Sequence, residues 1–399
     1  MQQNPTNAAQ LDCDLAIVGG GIAGPALAAA LADDGYRIIL IERSAEPLDT
    51  ARGDHLQPIT CEWLERWGVL DSMWARGAER RLGARWRTAD GQAIMNVRAD
   101  ALPIPHPYFL YLNHEAISEV FLQHAAENEN LTLLRPGTAR IVRDEHAPGR
   151  HGLTVEHAGG TTAVRAHCIA IADGRTSRNR KALDIEARSH HYDNPLLVLF
   201  AQRTFADPRN DVHVFLTSSG IVSVVPRTGG YWKVGFPVAR DALNDWTHAT
   251  PEALSRRLAE LVPALEGIEP RVAGIYPVAM VNAARWSDGN CVFLGDACHA
   301  LHPGRSQGMN VALRGVDLLA TRLRNAGFPS SAADTPGLLS AFEAEFRPPI
   351  DARLDENHAR GLEMDRMDAA SVERMRQALS GIAASPEKLH RYCMNAAGY

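Results

Sequence analysis

Lysine is nearly missing from this sequence: of 41 basic residues, only Lys181, Lys233 and Lys388 are lysines. The bias runs along the whole chain and is read as base composition, without functional weight. No block of five or more like charges occurs and the net charge is −6. A chain of this kind has no field to hold a phosphate backbone, which argues against nucleic acid as a partner. No window reaches 18 apolar residues, so no integral membrane segment is expected. Residues 1–12 are polar and lack the basic and apolar regions of a signal peptide, which points to a cytoplasmic protein. Six cysteines occur, at 13, 61, 168, 291, 298 and 393, without a C-x-x-C or any paired spacing. They read as reduced, mostly buried thiols. Cys298, His299 and His302 are close in sequence, but no second ligand cluster follows at zinc-site spacing, so no metal is expected. Internal repeats and low-complexity segments are absent too.

What is present is an average globular composition, 45% hydrophobic and 22% charged, over 399 residues. That length exceeds what one core usually holds, so two intimate domains are expected. Residues 13–18 (CDLAIV) form an apolar run that enters Gly19-Gly20-Gly21, as a buried strand does on reaching a tight turn. A helix follows, with Ile22, Ala26, Leu27 and Ala30 on one face and Gly35 as its stop. A second strand, 37–41, ends at Glu42. The opening is thus a βαβ unit. Asp90-Gly91 lies between two strand runs over 83–98 and signals a hairpin. Residues 114–126 read as a helix, 153–172 as strands broken at Gly159-Gly160, and 187–282 as strand-rich. Strand 291–294 leads to Gly295-Asp296, and Met309, Leu313, Val316, Ala320 and Leu323 then mark one buried helical face. The last 60 residues read as packing helices over a cleft.

Gly19-x-Gly21-x-x-Gly24 follows a strand and opens a helix, with Glu42 23 residues beyond Gly19 at the end of the next strand. Gly19 permits the turn, Gly21 lets backbone approach a pyrophosphate, Gly24 allows close helix packing, and the helix N-terminus attracts the anion. A carboxylate at 42 would accept hydrogen bonds from an adenosine ribose. The pattern specifies a dinucleotide site without separating one dinucleotide from another.

Two later segments separate them by resemblance. Ala172-Asp173-Gly174-Arg175-Thr176-Ser177, with Arg180 beyond, resembles the Asp-Gly motif of FAD-dependent aromatic-ring monooxygenases, the para-hydroxybenzoate hydroxylase class. Gly295-Asp296-Ala297-Cys298-His299, continuing through His302-Pro303 to Gln307-Gly308-Met309-Asn310, resembles that family's Gly-Asp motif and the loop and helix after it. The run on to Leu313-Arg314-x-Val316 is similar to the branch of ubiquinone-biosynthesis hydroxylases. Three departures stand out: Ser306 where a glycine is usual, Gly315 where an aspartate is common, and His114 where many members carry an arginine.

The resemblance implies a mixed α/β and α+β fold. A Rossmann-like FAD-binding domain would take residues 1–75, 112–182 and 283–350, a strand-rich substrate domain 76–111 and 183–282, and a C-terminal helical segment 351–399. It implies cofactor contacts from Gly19, Gly21, Ala23, Gly24, Glu42, Arg43, Arg52, His114, Asp173, Gly295, Asp296, Pro303, Ser306, Gln307, Gly308, Met309 and Asn310. Pro303 and Asn310 match positions near the flavin ring, and the helix from Gly308 would stabilise negative charge there through its dipole. No catalytic base is specified; His213 and Tyr231 are candidates in the strand-rich part, with Arg227 and Tyr276 behind them. The implied activity is hydroxylation of a small electron-rich aromatic by way of a flavin C4a-hydroperoxide, using O2 and NADPH or NADH as a transient co-substrate. A second nucleotide-binding fingerprint is not evident, which fits transient nicotinamide docking. A flavin reductase or halogenase on the same fold stays open, although neither a Trp-x-Trp-x-Ile-Pro stretch nor a plausible catalytic lysine favours the latter. So does a flavin-bound accessory protein without turnover. Oligomeric state is not indicated.

Overall fold

Ala9–Val18 and Ile38–Ile41 run side by side in parallel, with Leu15 opposite Ile38 and Val18 opposite Ile41. Between them the helix Ala23–Ala30 is buried at every residue, since its small side chains let it lie close on the sheet. Gly35, in the left-handed conformation, ends the 3-10 turn Ala32–Asp34 that follows. This computed structural model describes residues 9–46, 55–144, 147–203, 207–330 and 332–399; Arg52 lies outside the described residues.

The sheet extends on one side through Leu131–Leu134 and on the other through Gly160–Ile171 and Cys291–Phe293, all parallel to their neighbours. The apolar runs Cys13–Val18, Ile38–Ile41, Cys168–Ile171 and Cys291–Phe293 are buried without alternation, as in a parallel sheet covered on both faces, while the edge strand Leu131–Leu134 leaves Leu133 exposed. Gly160–Ile171 changes partners along its length. Its first residues pair antiparallel with His151–His157, and its last three pair with Cys291–Phe293. Val18, Ile41, Ile171 and Phe293 all end at one edge, and the motif segments leave the sheet there. In an open parallel sheet this carboxyl edge is where ligands bind.

A second sheet has seven strands in the order Pro270–Tyr276, Leu196–Gln202, Tyr231–Pro237, Gly220–Arg227, Val212–Thr217, Gly83–Thr88, Ala93–Arg98. The hairpin expected around Asp90-Gly91 joins the last two. Burial alternates along the central strands. One face, with Leu199, Val224, Trp232 and Val234, packs under the helix Pro251–Leu261 through Leu258. On the other face Phe200, Ser223, Val225, Lys233 and Gly235 are half-exposed. That face is covered at one end, where Val214, Leu216 and Ile221 meet Leu379 of the helix Ala369–Ala383. At the other end Arg227 reaches Asn113, at the start of the helix His114–Ala125. The half-exposed stretch between these two covered ends is the side on which the cleft expected from the sequence would lie.

Packing departs from the expected ranges in two places. Ala187–His191 and all but the last residue of Ala279–Ala283 fall within 183–282, yet they pair with each other and, through Ala279–Ala283, with His299–Ala300, and adjoining Tyr192 and Val278 enter the first core. Their strand character was readable; which sheet they join depends on partners remote in sequence. The boundary at 350 also cuts Thr335–Asp365, a single 31-residue helix whose Leu339, Phe342, Phe346, Ile350 and Leu354 face the first core.

Candidate functional site

The glycine turn is built from both ends. Gly19 has φ +117° and a side chain there would collide with the carbonyl of Ala172, so the turn closes against the strand beside it. Gly24 lies against the Gly19 carbonyl, which packs the helix onto the turn. Ser118 donates from Oγ to the Gly20 and Gly21 carbonyls at 3.0 and 2.7 Å. Those carbonyls are thereby held away from the side where an anion would sit. Sequence reading missed Ser118; its signal was its place one helical turn after His114. Glu42 has a second task too. Its two carboxylate oxygens accept from the backbone N–H groups of Gly20 and of Ser44, pinning the turn, and each keeps a lone pair for a ribose hydroxyl. Arg43 is exposed.

Asp173 and Asp296 bracket the next strand ends. Asp173 Oδ2 accepts from Asn179 Nδ2 at 2.9 Å, while its Oδ1 is buried without a hydrogen-bond partner among the described residues. Arg180 donates to the Ala297 carbonyl at 2.6 Å and the Arg175 carbonyl at 3.3 Å, joining the Asp-Gly and Gly-Asp segments. Gly295 takes φ +57° beside Ala23 and Ala312. Asp296 alone is exposed in a run buried from Cys291 to Leu301. Cys298 donates from Sγ to the Phe293 carbonyl at 3.1 Å. His299, 1% exposed, is wedged between Trp286 and Phe346, and burial pushes its imidazole down to about 4. These two residues pack the loop from behind.

From His302 the chain makes a 3-10 turn, Pro303–Arg305, with Pro303 and Ser306 exposed, and then enters the helix Gly308–Asn325 behind Gln307. Ser306 has φ +51°, which explains why glycine is usual at this position. Met309 packs half-buried against the first core. Asn310 was expected near the ring as a candidate for chemistry, and its side chain is instead fully engaged. It is 2% exposed; Oδ1 accepts from Gln57 N and Thr60 Oγ1 at 2.8 and 3.0 Å, and Nδ2 donates to the carbonyls of His55 and Ser306 at 2.9 and 3.3 Å. It positions the helix start and has no capacity left for a substrate.

His213 is corrected as well. It pairs across the sheet with Val224, on the face under Pro251–Leu261 and opposite the face that carries Lys233, and it lines a cavity there with Arg85, Phe215 and Leu265. Its Nε2 lies 3.2 Å from Asp207 Oδ2 and burial lowers its pKa. Tyr231 is on the cleft side but at the rim, exposed and stacked over Gly229 at the hairpin end. Arg227 is buried, donating to Asn113 Oδ1 at 2.9 Å and lying 3.6 Å from Glu115. The structure brings forward two residues that sequence reading did not weigh as site residues. Lys233 stands on the half-exposed face, between Val225 and Phe200 in register. His55, beside the helix start, accepts from Arg81 at Nδ1 and stacks on Phe109. Its pKa falls to about 3, first through burial and then through the charges of Arg81 and Lys233. Neutral and accepting at Nδ1, its ring carries the proton on Nε2.

The residues fit FAD on the structure's own terms. Space is open beyond Gly21 and beyond Gly308, with no heavy atom within 4 Å of where a side chain would begin. Asp296 is exposed for polyol hydroxyls, Asp173 retains a buried oxygen, and two helix N-termini face the same edge. Gly19, Gly21, Gly24, Glu42, Asp296 and Gly308 would hold the cofactor.

A family model described as FAD binding domain matches residues 12–352. Ubiquinone hydroxylase UbiL of Rhodospirillum rubrum is 27% identical over 352 residues, covering 86% of this chain and 80% of that protein. PqsL of Pseudomonas aeruginosa, solved in complex with 2-aminobenzoylacetate, is 25% identical with a TM-score of 0.75, over 91% of this chain and all of that one. The p-nitrophenol 4-monooxygenase PnpA of Pseudomonas putida superposes with a TM-score of 0.79 at 19% identity, over 97% and 98% of the two chains, and so shares the fold. Among the described residues no helix is long and apolar enough to cross a membrane.

Proposed function

From the premise that this chain belongs to the FAD binding domain family and is a flavoprotein aromatic monooxygenase, we propose that it hydroxylates a small aromatic bearing a hydroxyl or amino group, with NADPH or NADH as reductant and O2 as the oxygen source. One observation carries this reading. The glycine turn, Asp173, Asp296 and the N-terminus of Gly308–Asn325 converge at one sheet edge, and the half-exposed face with Lys233, Ser223 and Phe200 stands opposite. A cofactor on the edge would thus meet a substrate on that face. When bound, FAD supplies the two-electron chemistry that activates oxygen. The helix N-terminus at Gly308 favours negative charge near the ring. Asn310 fixes that terminus, while Lys233 and the polar Ser223 orient the substrate's oxygen or nitrogen substituent. The C-terminal helices close one end of the cleft against water. Electron-donating substituents matter because the transferred oxygen is electrophilic. PnpA, a p-nitrophenol monooxygenase, and PqsL, with its bound 2-aminobenzoylacetate, span phenol and arylamine chemistry, in keeping with this class.

The test is stopped-flow flavin bleaching by NADH and NADPH without oxygen, with and without a panel of phenols, quinolones and anilines, followed by product analysis in air. Acceleration by an aromatic and a product heavier by one oxygen are expected. Bleaching indifferent to every aromatic would mark a flavin reductase, and no bleaching at all an accessory protein. A halogenated product formed in the presence of halide would mark a halogenase.

A further inference from the structure

The loop that presents Pro303 is gripped from the C-terminal side by a residue that no motif assigns. Asn357, 4% exposed on the helix Thr335–Asp365, accepts at Oδ1 from the His302 N–H at 2.7 Å and donates from Nδ2 to the His302 carbonyl at 3.1 Å. One side chain thus satisfies both backbone groups of the residue before Pro303, as a neighbouring strand would. The grip is extended by the same helical face. Gly361 is one turn further on, where a side chain would start 2.8 Å from the Tyr192 hydroxyl; the next turn brings Met364, whose Cε lies 2.6 Å from the corresponding position of Gly304. The spacings of four and three place 357, 361 and 364 on one stripe. Tyr192, enclosed by this stripe, meets the His302 ring edge-on at 4.7 Å and bonds His358 Nδ1 at 2.8 Å. Within the loop, His302 Nδ1 accepts from Gly304 N at 3.1 Å.

We infer that Asn357 is a positioning residue for oxygenation: it sets where the Pro303–Ser306 turn stands relative to the flavin ring. This role for Asn357 rests on the function proposed above for the site itself. The turn has two anchors. Asn310 holds its end by accepting from Gln57 and donating to the Ser306 carbonyl, and Asn357 holds its beginning. Between them Pro303 and Ser306 are exposed. Releasing the first anchor leaves the turn tethered at one end, so the ring's wall moves while the glycine turn, Glu42 and Asp296, which carry FAD affinity, stay in place. The helix that bears Asn357 leads through Met364 and Met367 to Ala369–Ala383 on the substrate sheet, so the anchor belongs to the element that also walls the cleft.

The test compares Asn357→Leu, which removes both bonds, Asn357→Asp, which keeps the acceptor and loses the donor, and Asn290→Asp as a control. Asn290 also clamps one residue's backbone, His151 N and O at 2.8 and 3.1 Å, but far from the turn. Amide exchange is followed in a peptide covering 300–306, without and with FAD, alongside the visible spectrum of bound flavin and the fraction of NAD(P)H oxidised to H2O2 rather than product. Asn357→Leu should raise exchange at His302 and Gly304 at least tenfold, shift the flavin spectrum and raise the H2O2 fraction several-fold with FAD affinity within about twofold of wild type. Asn357→Asp should fall between, and Asn290→Asp should lower the melting temperature while moving none of these. Unchanged exchange in 300–306, or faster exchange with spectrum and partition unmoved, overturns the inference. Wild-type protein that binds FAD but never turns over refutes the functional reading instead, and exchange and spectrum still decide the role of Asn357.

Discussion

Arg81 donates from Nη1 to Nδ1 of His55 at 3.2 Å, across the seam where the flavin-side loop meets the substrate sheet. Its Nη2 donates to the Pro226 carbonyl at 3.0 Å, and its guanidinium lies 4.5 Å over the Tyr111 ring. One side chain, 1% exposed, therefore ties the strand Gly220–Arg227 to the residue whose carbonyl receives Asn310.

Arg81→Met should destabilise the protein by about 3 kcal/mol, because two buried acceptors lose their donor together. Arg81→Lys should recover less than half of that, since an ammonium cannot reach both acceptors and stack on a ring at once. Urea unfolding at constant slope reads both values. A loss under 1 kcal/mol for the methionine variant would show the seam to be held by other contacts.

Stability should fall as acidity rises through a defined window. His299 and His302 are pushed down to about 4 and His55 to about 3, in each case first by burial. Their ordinary value is 6.5, so above that pH both folded and unfolded states are neutral and nothing changes. Below it the unfolded chain takes up protons that the folded one refuses, costing about 1.4 kcal/mol per pH unit for each histidine until the folded value is reached. Melting temperature should thus drop between pH 6.5 and 4, and His299→Gln should flatten that slope. A slope unaltered by the substitution would remove His299 from the account.

Asp296→Ala should weaken FAD binding by about 1 to 3 kcal/mol, as polyol hydroxyls lose a charged acceptor. Titration of apoprotein by flavin fluorescence quenching measures this. Affinity equal to wild type would mean that the exposed carboxylate faces something other than the cofactor.

Ser306→Gly relieves a side chain held at φ +51° and adds freedom to the unfolded chain, two effects of about 1 kcal/mol each and opposite sign. The melting temperature should therefore move little, while the rate of flavin reduction changes because the turn gains freedom beside the ring. A reduction rate identical to wild type would make the serine a neutral occupant.

Lys233→Met should raise KM for phenols and aromatic acids at least tenfold and leave FAD content intact, for Lys233 lies on the cleft face and outside the cofactor's cradle. Equal KM values across ionised and neutral substrates would place the substrate elsewhere on the sheet.

Much of the first unit was legible in the chain because its signals are local. The apolar run before Gly19, the stop at Gly35 and the stripe from Leu313 to Leu323 each follow from short-range periodicity and turn chemistry. Asp90-Gly91 announced its hairpin for the same reason. Which face His213 takes was not readable because alternation says that neighbouring residues face opposite ways without saying which way is inward; the packing of Leu258 decides that. Asn310 was singled out by its motif, but its saturated amide was not readable, since its partners at His55, Gln57 and Thr60 are some 250 residues away. Lys233 had no signal beyond its rarity.

The central sheet draws its strands from 9–41, 131–171 and 287–293, and Ile171 meets Phe293 only after more than a hundred intervening residues. A ribosome that has released the glycine turn has therefore exported a cradle still missing Asp296 and the helix that faces it. Contacts of such long range are formed late. The nascent chain would carry an unfinished nucleotide site through most of its synthesis, and cofactor capture would wait until the stretch to about Asn325 has cleared the exit tunnel.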